Sequence, residues 1–587
     1  MKKLLLTALT GCLFQASALA TAVEKSEDNP INNLTVYTAK KIITMEASMP
    51  EAKAVAVANG RIVSVGTLES LKPWTSQHPT TIDESFKDKV LMPGFIDPHL
   101  HPSLPAVLSL FPFLAPEDWT LPTGFFPAAR SHEDYIAALK KQVADYPSSQ
   151  HYEAGMPFIS WGYHQLFHGE ITRDMLDKLF PDTAVILWHR SFHELVANSK
   201  AITDLAISEE AAKQHPVDIK WDQGLFSEFG AKKVFLPKLT AKILTPERYQ
   251  TGMRYFAELV HLGGVTSAMD MGIGIFGDPE GEIKMIRSAI EDNNAPMRIV
   301  LTPFITDFIV RDVSPSAALK QVRRWESEST GRVQLDGHFK LMMDGAAFSG
   351  LGQMDFPGYI DGHEGVWMSP LDVTAKYAKE FWDAGYQLHA HTTGDKGAAE
   401  LIKLVEQLQA TSPRADHRTT LEHLMYAREG QLHRMAELGI AVSANTYYQY
   451  LLADLYAEKW LGEDRARNLS PVGAASRAGV KLAFHSDAPM APLSPLTLAW
   501  AAVNRVTING ESNNQEQVVS VDQAMRAITI DAAWMMRKEN EIGSIVAGKK
   551  ADFVVLEDNP YKVNKKRLKD IQIWGTVFEG EKYPIKH

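Results

Sequence analysis

Apolar and polar positions divide the chain into two β-rich ends and an alternating middle. Near the start, "LTVYTAKKIITM" and "AKAVAVANGRIVSVG" alternate apolar and polar residues around a turn at Asn59-Gly60, the pattern of paired strands. The far end is similar, with "GSIVAGKKADFVVLE" and "IQIWGTVFEGEKY" carrying alternation and glycine turns. The two ends predict a small β-sandwich built jointly from residues 31–90 and 536–587.

Between them, short apolar strands alternate with helical patterns, which predicts βα units and a parallel sheet. Eight strands are expected, in "GFIDPHLH", "GGVTSAMDM", "MRIVLTPFI", "HFKLMMDGA", "YQLHAHTTGD", "RTTLEHLMY", "GIAVSANTYY" and "VKLAFHSDAP". Eight is the count that a (β/α)8 TIM barrel needs, here over residues 91–535. The segment 105–260 is too long for one βα connection and is read as an inserted subdomain. The expected fold class is thus α/β: a TIM barrel with an insertion, plus the sandwich.

Composition narrows this picture. Of the 587 residues 45% are hydrophobic and 22% charged, as in a globular protein. A net charge of −11 argues against a nucleic-acid or anionic-membrane partner. No apolar run beyond the first residues is long enough to be a transmembrane segment. The opening "MKKLLLTALTGCLFQASALATAVEKS" has a basic start, an apolar stretch and Ala18-Leu19-Ala20. It reads as a secretory signal over residues 1–20, hence a periplasmic or secreted protein. "LTGC" offers the alternative of a lipoprotein anchored through Cys12, the only cysteine. Cleavage after Ala20 leaves no disulfide, thiol nucleophile or cysteine metal site.

The candidate chemistry lies at the strand ends. His99 and His101 are one residue apart, so on a strand they share a face, and two imidazoles so placed can grip one metal ion. Lys340 falls in the fourth strand, His391 ends the fifth, His423 the sixth and Asp487 the eighth. Catalytic groups of TIM-barrel enzymes gather at this end of the strands. Any one of the six has a structural explanation; six at matching positions, in a chain with 20 histidines, point to a metal site.

These motifs resemble the amidohydrolase superfamily of metal-dependent hydrolases, and within it the amidohydrolase-3 branch of N-substituted formamide deformylases and YtcJ-like proteins. The family's "PGFID-x-H-x-H" stands here as "PGFIDPHLH", its "HxxGD" as "HTTGD", its "IEH" as "LEH" and its "SDAP" as "HSDAP". "GSIVAGKKADFVVL" matches the flanking β-domain of the family. The resemblance covers nearly all of the chain after the signal. It implies that His99, His101, His391, His423 and Asp487 are metal ligands, with Lys340 at the position of a carboxylated lysine that bridges two ions. The other reading pairs Lys340 with Asp344 or Asp336. The cofactor implied is a divalent metal, zinc foremost, as one or two ions. His389 is expected behind His391, off the metal.

The segment "VILWHRSFHELVANSKAI" resembles the branch's "DGHxxWVNSxAL" element, which places His193 over the site as a catalytic electrophile or substrate contact. The chain departs from that element in lacking Asp-Gly before the histidine and Trp before "VANS". Trp188 and Arg505 are further candidates for substrate binding, Arg505 through a bidentate carboxylate contact. His189, Asn198 and Glu228 are weaker candidates, and Tyr447 and Tyr448 are read as facing the strand ends.

The function expected is hydrolysis of a C–N bond (amide, N-acyl or N-formyl) in a small-molecule substrate, by water activated at the metal with Asp487 as general base. The same site could act on an ester, lactone or cyclic amide. A reading from another class is a regulatory or binding protein that kept the scaffold. A homodimer is expected by analogy with the fold.

Overall fold

The computed structural model describes residues 31–149 and 152–586. The signal segment and Cys12 lie outside the described residues. Both chain ends enter one sheet, as their alternation predicts. Its seven strands run in the order Glu581–Pro584, Ile573–Phe578, Phe553–Leu556, Thr80–Pro93, Leu34–Ile43, Glu51–Ala58 and Arg61–Gly66. Phe553–Leu556 pairs antiparallel with the end of Thr80–Pro93, Val555 opposite Leu91, which joins the two termini. This is a single mixed sheet, where two facing layers were expected. Its long strand Thr80–Pro93 runs on into the parallel strands through Gly94 alone. A side chain at Gly94 would collide with Thr266, so the Pro-Gly break admits the neighbouring strand at close range.

The eight expected parallel strands are all present and in order. They are β1 (Phe95–Leu100), β2 (Val265–Ile273), β3 (Arg298–Pro303), β4 (His338–Met342), β5 (Gln387–Thr392), β6 (Thr420–His423), β7 (Ala441–Ala444) and β8 (Leu482–Phe484). They form two arcs. β1, β2 and β3 pair in one, ending in the short strand Val333–Gln334, and β4 to β8 pair in the other. Between the arcs, Phe304 and Lys340 form one parallel bridge. Between β8 and β1 one side-chain bond and one backbone bond replace the ladder: Ser486 Oγ donates to Asp97 Oδ2 at 2.5 Å, and Asp487 N donates to His99 O at 2.9 Å. The fold is therefore mixed α/β, with the strand pairing interrupted at two seams.

Between β1 and β2 lies a five-stranded sheet with the order Ile219–Lys220, Leu225–Ser227, Glu194–Ala197, Val185–His189, Phe158–Tyr163. It is followed by the helices Leu236–Ile243 and Pro246–Leu262, the second of which packs on β2.

Asp97 is fully buried and also accepts from the backbone amides of His99 and Ser486, at 3.3 and 3.2 Å. Removing this acceptor strands several buried donors. Asp97→Ala is expected to lower the unfolding free energy by about 2–5 kcal/mol, read as a lower denaturant midpoint; an unchanged midpoint contradicts this role of the seam.

Candidate active site

Alternation along β1 puts Asp97, His99 and His101 on one face. β4 brings Lys340 beside His389 of β5, and His391 follows two residues later. In β6, neighbouring Glu422 and His423 should face opposite ways. They do not, because His423 (φ 82°) and Leu424 (φ 51°) adopt left-handed backbone, which turns both side chains inward. Asp487, after β8, is left-handed as well (φ 53°). Non-glycine residues held there are strained, and such strain gathers at functional sites.

His99, His101, Lys340, His391, His423 and Asp487 all line one cavity, and His193 lines it from the inserted segment. Asp487 touches three of the histidines: Oδ1 lies 3.4 Å from His99 Nε2 and 3.2 Å from His101 Nε2, and Oδ2 lies 3.5 Å from His423 Nδ1. One ligand atom each from His99, His101 and Asp487 falls within 4.8 Å of the others, a spacing that one cation can span. Among the described residues four buried nitrogens here have no hydrogen-bond partner: His99 Nε2, His101 Nδ1, His423 Nε2 and Lys340 Nζ. Orphaned buried donors and acceptors are costly, and a bound cation would satisfy the imidazoles.

The electrostatics suit that cation. Burial, reinforced by the charge of Lys340, pushes His99, His391 and His423 well below the ordinary imidazole range, into the neutral form that coordinates metal. His101 moves the other way: burial lowers it, but Asp270 and Asp487 outweigh burial and raise it to about 9. The carboxylates that favour a proton there also favour a cation. Burial lowers Lys340 to about 8.

Lys340 pairs with neither acidic residue considered for it. Asp344 instead accepts from the backbone amides of Gln353, Thr393 and Gly394, at 2.8, 2.9 and 2.8 Å, and Asp336 pairs with Lys538 at 2.5 Å. His193 N donates to Ser191 Oγ at 3.0 Å, and its Nδ1 donates to Glu228 at 3.0 Å, leaving Nε2 as the free ring nitrogen.

Two expected substrate contacts are elsewhere. Trp188 is wholly buried, donates to Phe192 O at 3.2 Å and stacks on the Phe192 ring, so Phe192 and not Trp188 reaches the cavity. Arg505 is also buried and caps the carbonyls of Leu469 and Ser470, at 2.8 and 2.9 Å. Its two terminal nitrogens are engaged by these carbonyls and that of Arg467, away from the cavity. His189 bonds Gln165 and Ser191, and Asn198 caps a helix, so both are structural. Tyr447 and Tyr448 are buried off the cavity.

Glu422 has a larger part than its sequence suggests. It accepts from His99 Nδ1 through one oxygen and from His389 Nδ1 through the other, both at 2.8 Å, and His389 continues to His338 at 3.1 Å. His389 thus stands behind the cavity. His485, also unforeseen, bonds His423 Nδ1 at 3.2 Å and Ser443 Oγ at 2.6 Å. Glu422 therefore fixes the tautomer that turns His99 Nε2 toward Asp487. A Glu422→Gln change puts an amide donor against an imidazole donor. It is expected to weaken metal affinity about 10–100-fold in chelator-competition titrations, with circular dichroism unchanged; unaltered affinity contradicts this role.

The model of the Amidohydrolase family matches residues 86–582. An N-substituted formamide deformylase of Arthrobacter pascens is 26% identical over 92% of this chain and 96% of its own length. Among solved structures, an uncharacterized metal-dependent hydrolase from Pyrococcus horikoshii covers 91% of this chain and 99% of its own, at 20% identity and a TM-score of 0.67. An adenosine deaminase from Xanthomonas campestris with bound zinc covers 95% and 97%, at 14% identity and a TM-score of 0.52.

Proposed function

The chain belongs to the amidohydrolase family, and from that premise we propose that it hydrolyses the C–N bond of an amide, N-acyl or N-formyl compound. The observation that carries this reading is the convergence of unpartnered His99 Nε2, His423 Nε2 and Lys340 Nζ on the cavity lined by Asp487.

His99, His101, His391, His423 and Asp487 would hold the cation. Zinc suits such nitrogen and oxygen donors. When bound, a divalent cation supplies Lewis acidity toward the carbonyl and lowers the pKa of water. Asp487 takes the proton from the attacking water and returns it to the leaving nitrogen, work that suits a carboxylate reaching several ligands at once. His193, anchored through Nδ1 to Glu228, offers its other ring nitrogen to the carbonyl oxygen as negative charge develops.

The Lys340 amine would add to carbon dioxide, losing a proton and gaining a carboxylate that gives two oxygen donors in place of one orphaned nitrogen. With that group the residues would offer donors for two ions; without it, for one. In this reading the eight strands act as one TIM-type barrel, and residues 1–20 direct export to the periplasm or beyond, with anchoring through Cys12 as the alternative.

The test is turnover of a panel of N-formyl and N-acyl amines, with esters and lactones alongside. Activity is expected to vanish on chelation and return with zinc. Asp487→Asn is expected to lower kcat/KM by about 10²–10⁴-fold. Turnover that survives both treatments contradicts the mechanism, and a metal-loaded protein inert to the whole panel favours a binding role.

A further inference from the structure

A second chamber, of about 900 Å³, adjoins the metal cavity and shares Lys232, Leu236, Ile275 and Phe304 with it. Its size is at the upper end of small-ligand sites. It lies between the helix Leu236–Ile243 and the loops that follow β2 and β3, and its walls are mainly apolar: Leu236, Leu244, Ile275, Phe276, Met285 and Phe304.

The charged groups on these walls are nearly all engaged. Asp307 pairs with Arg311 at 2.9 Å, Glu282 accepts from Gly274 N at 2.7 Å and from Ser103, and Asp278 caps its own helix. Lys284 is exposed to water. Lys232 differs. It is partly buried at the throat common to both chambers, its ammonium lies 5.9 Å from the centre of the Phe229 ring, and among the described residues no carboxylate stands within ion-pair distance of it. Glu228, the acid nearest in effect, already accepts from His193 at 3.0 and 3.1 Å. Lys232 also sits in the five-residue π-helical turn Ala231–Phe235, a distortion that recurs at functional sites. A cation with no counter-ion, held between apolar walls, calls for an anion from outside the chain.

We propose that this chamber receives a bulky apolar arm of the substrate and that Lys232 binds a carboxylate carried on that arm. The substrate class is then an anionic, amphiphilic amide, which rests on the hydrolase reading only for the bond that is broken. The carbonyl enters the metal cavity, the carboxylate stops at the throat, and the apolar part fills the outer chamber. The inner cavity, of about 100 Å³, has little room for bulk.

The test uses two ligands with no scissile bond, phenylbutyrate and its neutral analogue phenylbutanol, titrated calorimetrically into the metal-loaded full chain. The carboxylate is expected to bind about tenfold more tightly than the alcohol, a difference of about 1.4 kcal/mol. Lys232→Arg should keep that preference and Lys232→Met should abolish it, with the affinity for the alcohol unchanged in both. The proposal is overturned if the wild type shows no preference, if the preference survives in Lys232→Met (as when the carboxylate sits on the metal), or if neither ligand binds in the millimolar range. Because neither ligand is turned over, failure here is separate from failure of the hydrolase reading.

Discussion

Between the last parallel strand and the first, backbone pairing gives way to one buried carboxylate. Asp97 accepts from Ser486 Oγ, Ser486 N and His99 N, while Asp487 N reaches His99 O. That seam sets how close β1 comes to the residues after β8, and so how close His99 and His101 come to Asp487. The remaining ligands are placed relative to this pair. Lys340 and His391 are carried by the β4–β5 register, and His423 by a left-handed turn of the chain.

Behind the cavity stands a row of buried polar groups, His338, His389, Glu422 and His99, each hydrogen-bonded to the next. Inside a protein such networks are stabilising only when every member is satisfied. Among the described residues His99, at the outer end, leaves Nε2 without a hydrogen-bond partner toward the cavity, and His338, at the inner end, leaves its Nε2 3.8 Å from Asp336. Four such nitrogens, on His99, His101, His423 and Lys340, meet where a cation would sit. Lys232 repeats this at the throat: among the described residues no carboxylate is within ion-pair distance of it, beside a ligand-sized space.

Much of this was legible in the sequence, because period and spacing are local signals. Alternation at both ends foretold a shared β unit, though not that it would be one sheet. The His-x-His at the end of β1 and the polar residues closing β4, β5, β6 and β8 foretold which side chains would meet. What stayed hidden depends on backbone angles or long-range packing. Strand alternation alone turns Glu422 away from His423, and the positive φ at His423 breaks that alternation. Trp188 and Arg505 carry the side chains of substrate contacts, but stacking on Phe192 and carbonyl capping bury both. Lys232 gave no sequence signal, since its position follows from a π-helical turn.

His99, His101, His391, His423 and Asp487 would together hold a divalent cation in one place. Anomalous diffraction from crystals grown with zinc tests this most directly. The account expects a peak in the cavity about 2.0–2.2 Å from imidazole nitrogens and a carboxylate oxygen of this set, with a second peak beside Lys340 if that residue carries a carboxylate. A cavity without anomalous signal at saturating zinc, with the ion bound only elsewhere on the protein, would contradict it.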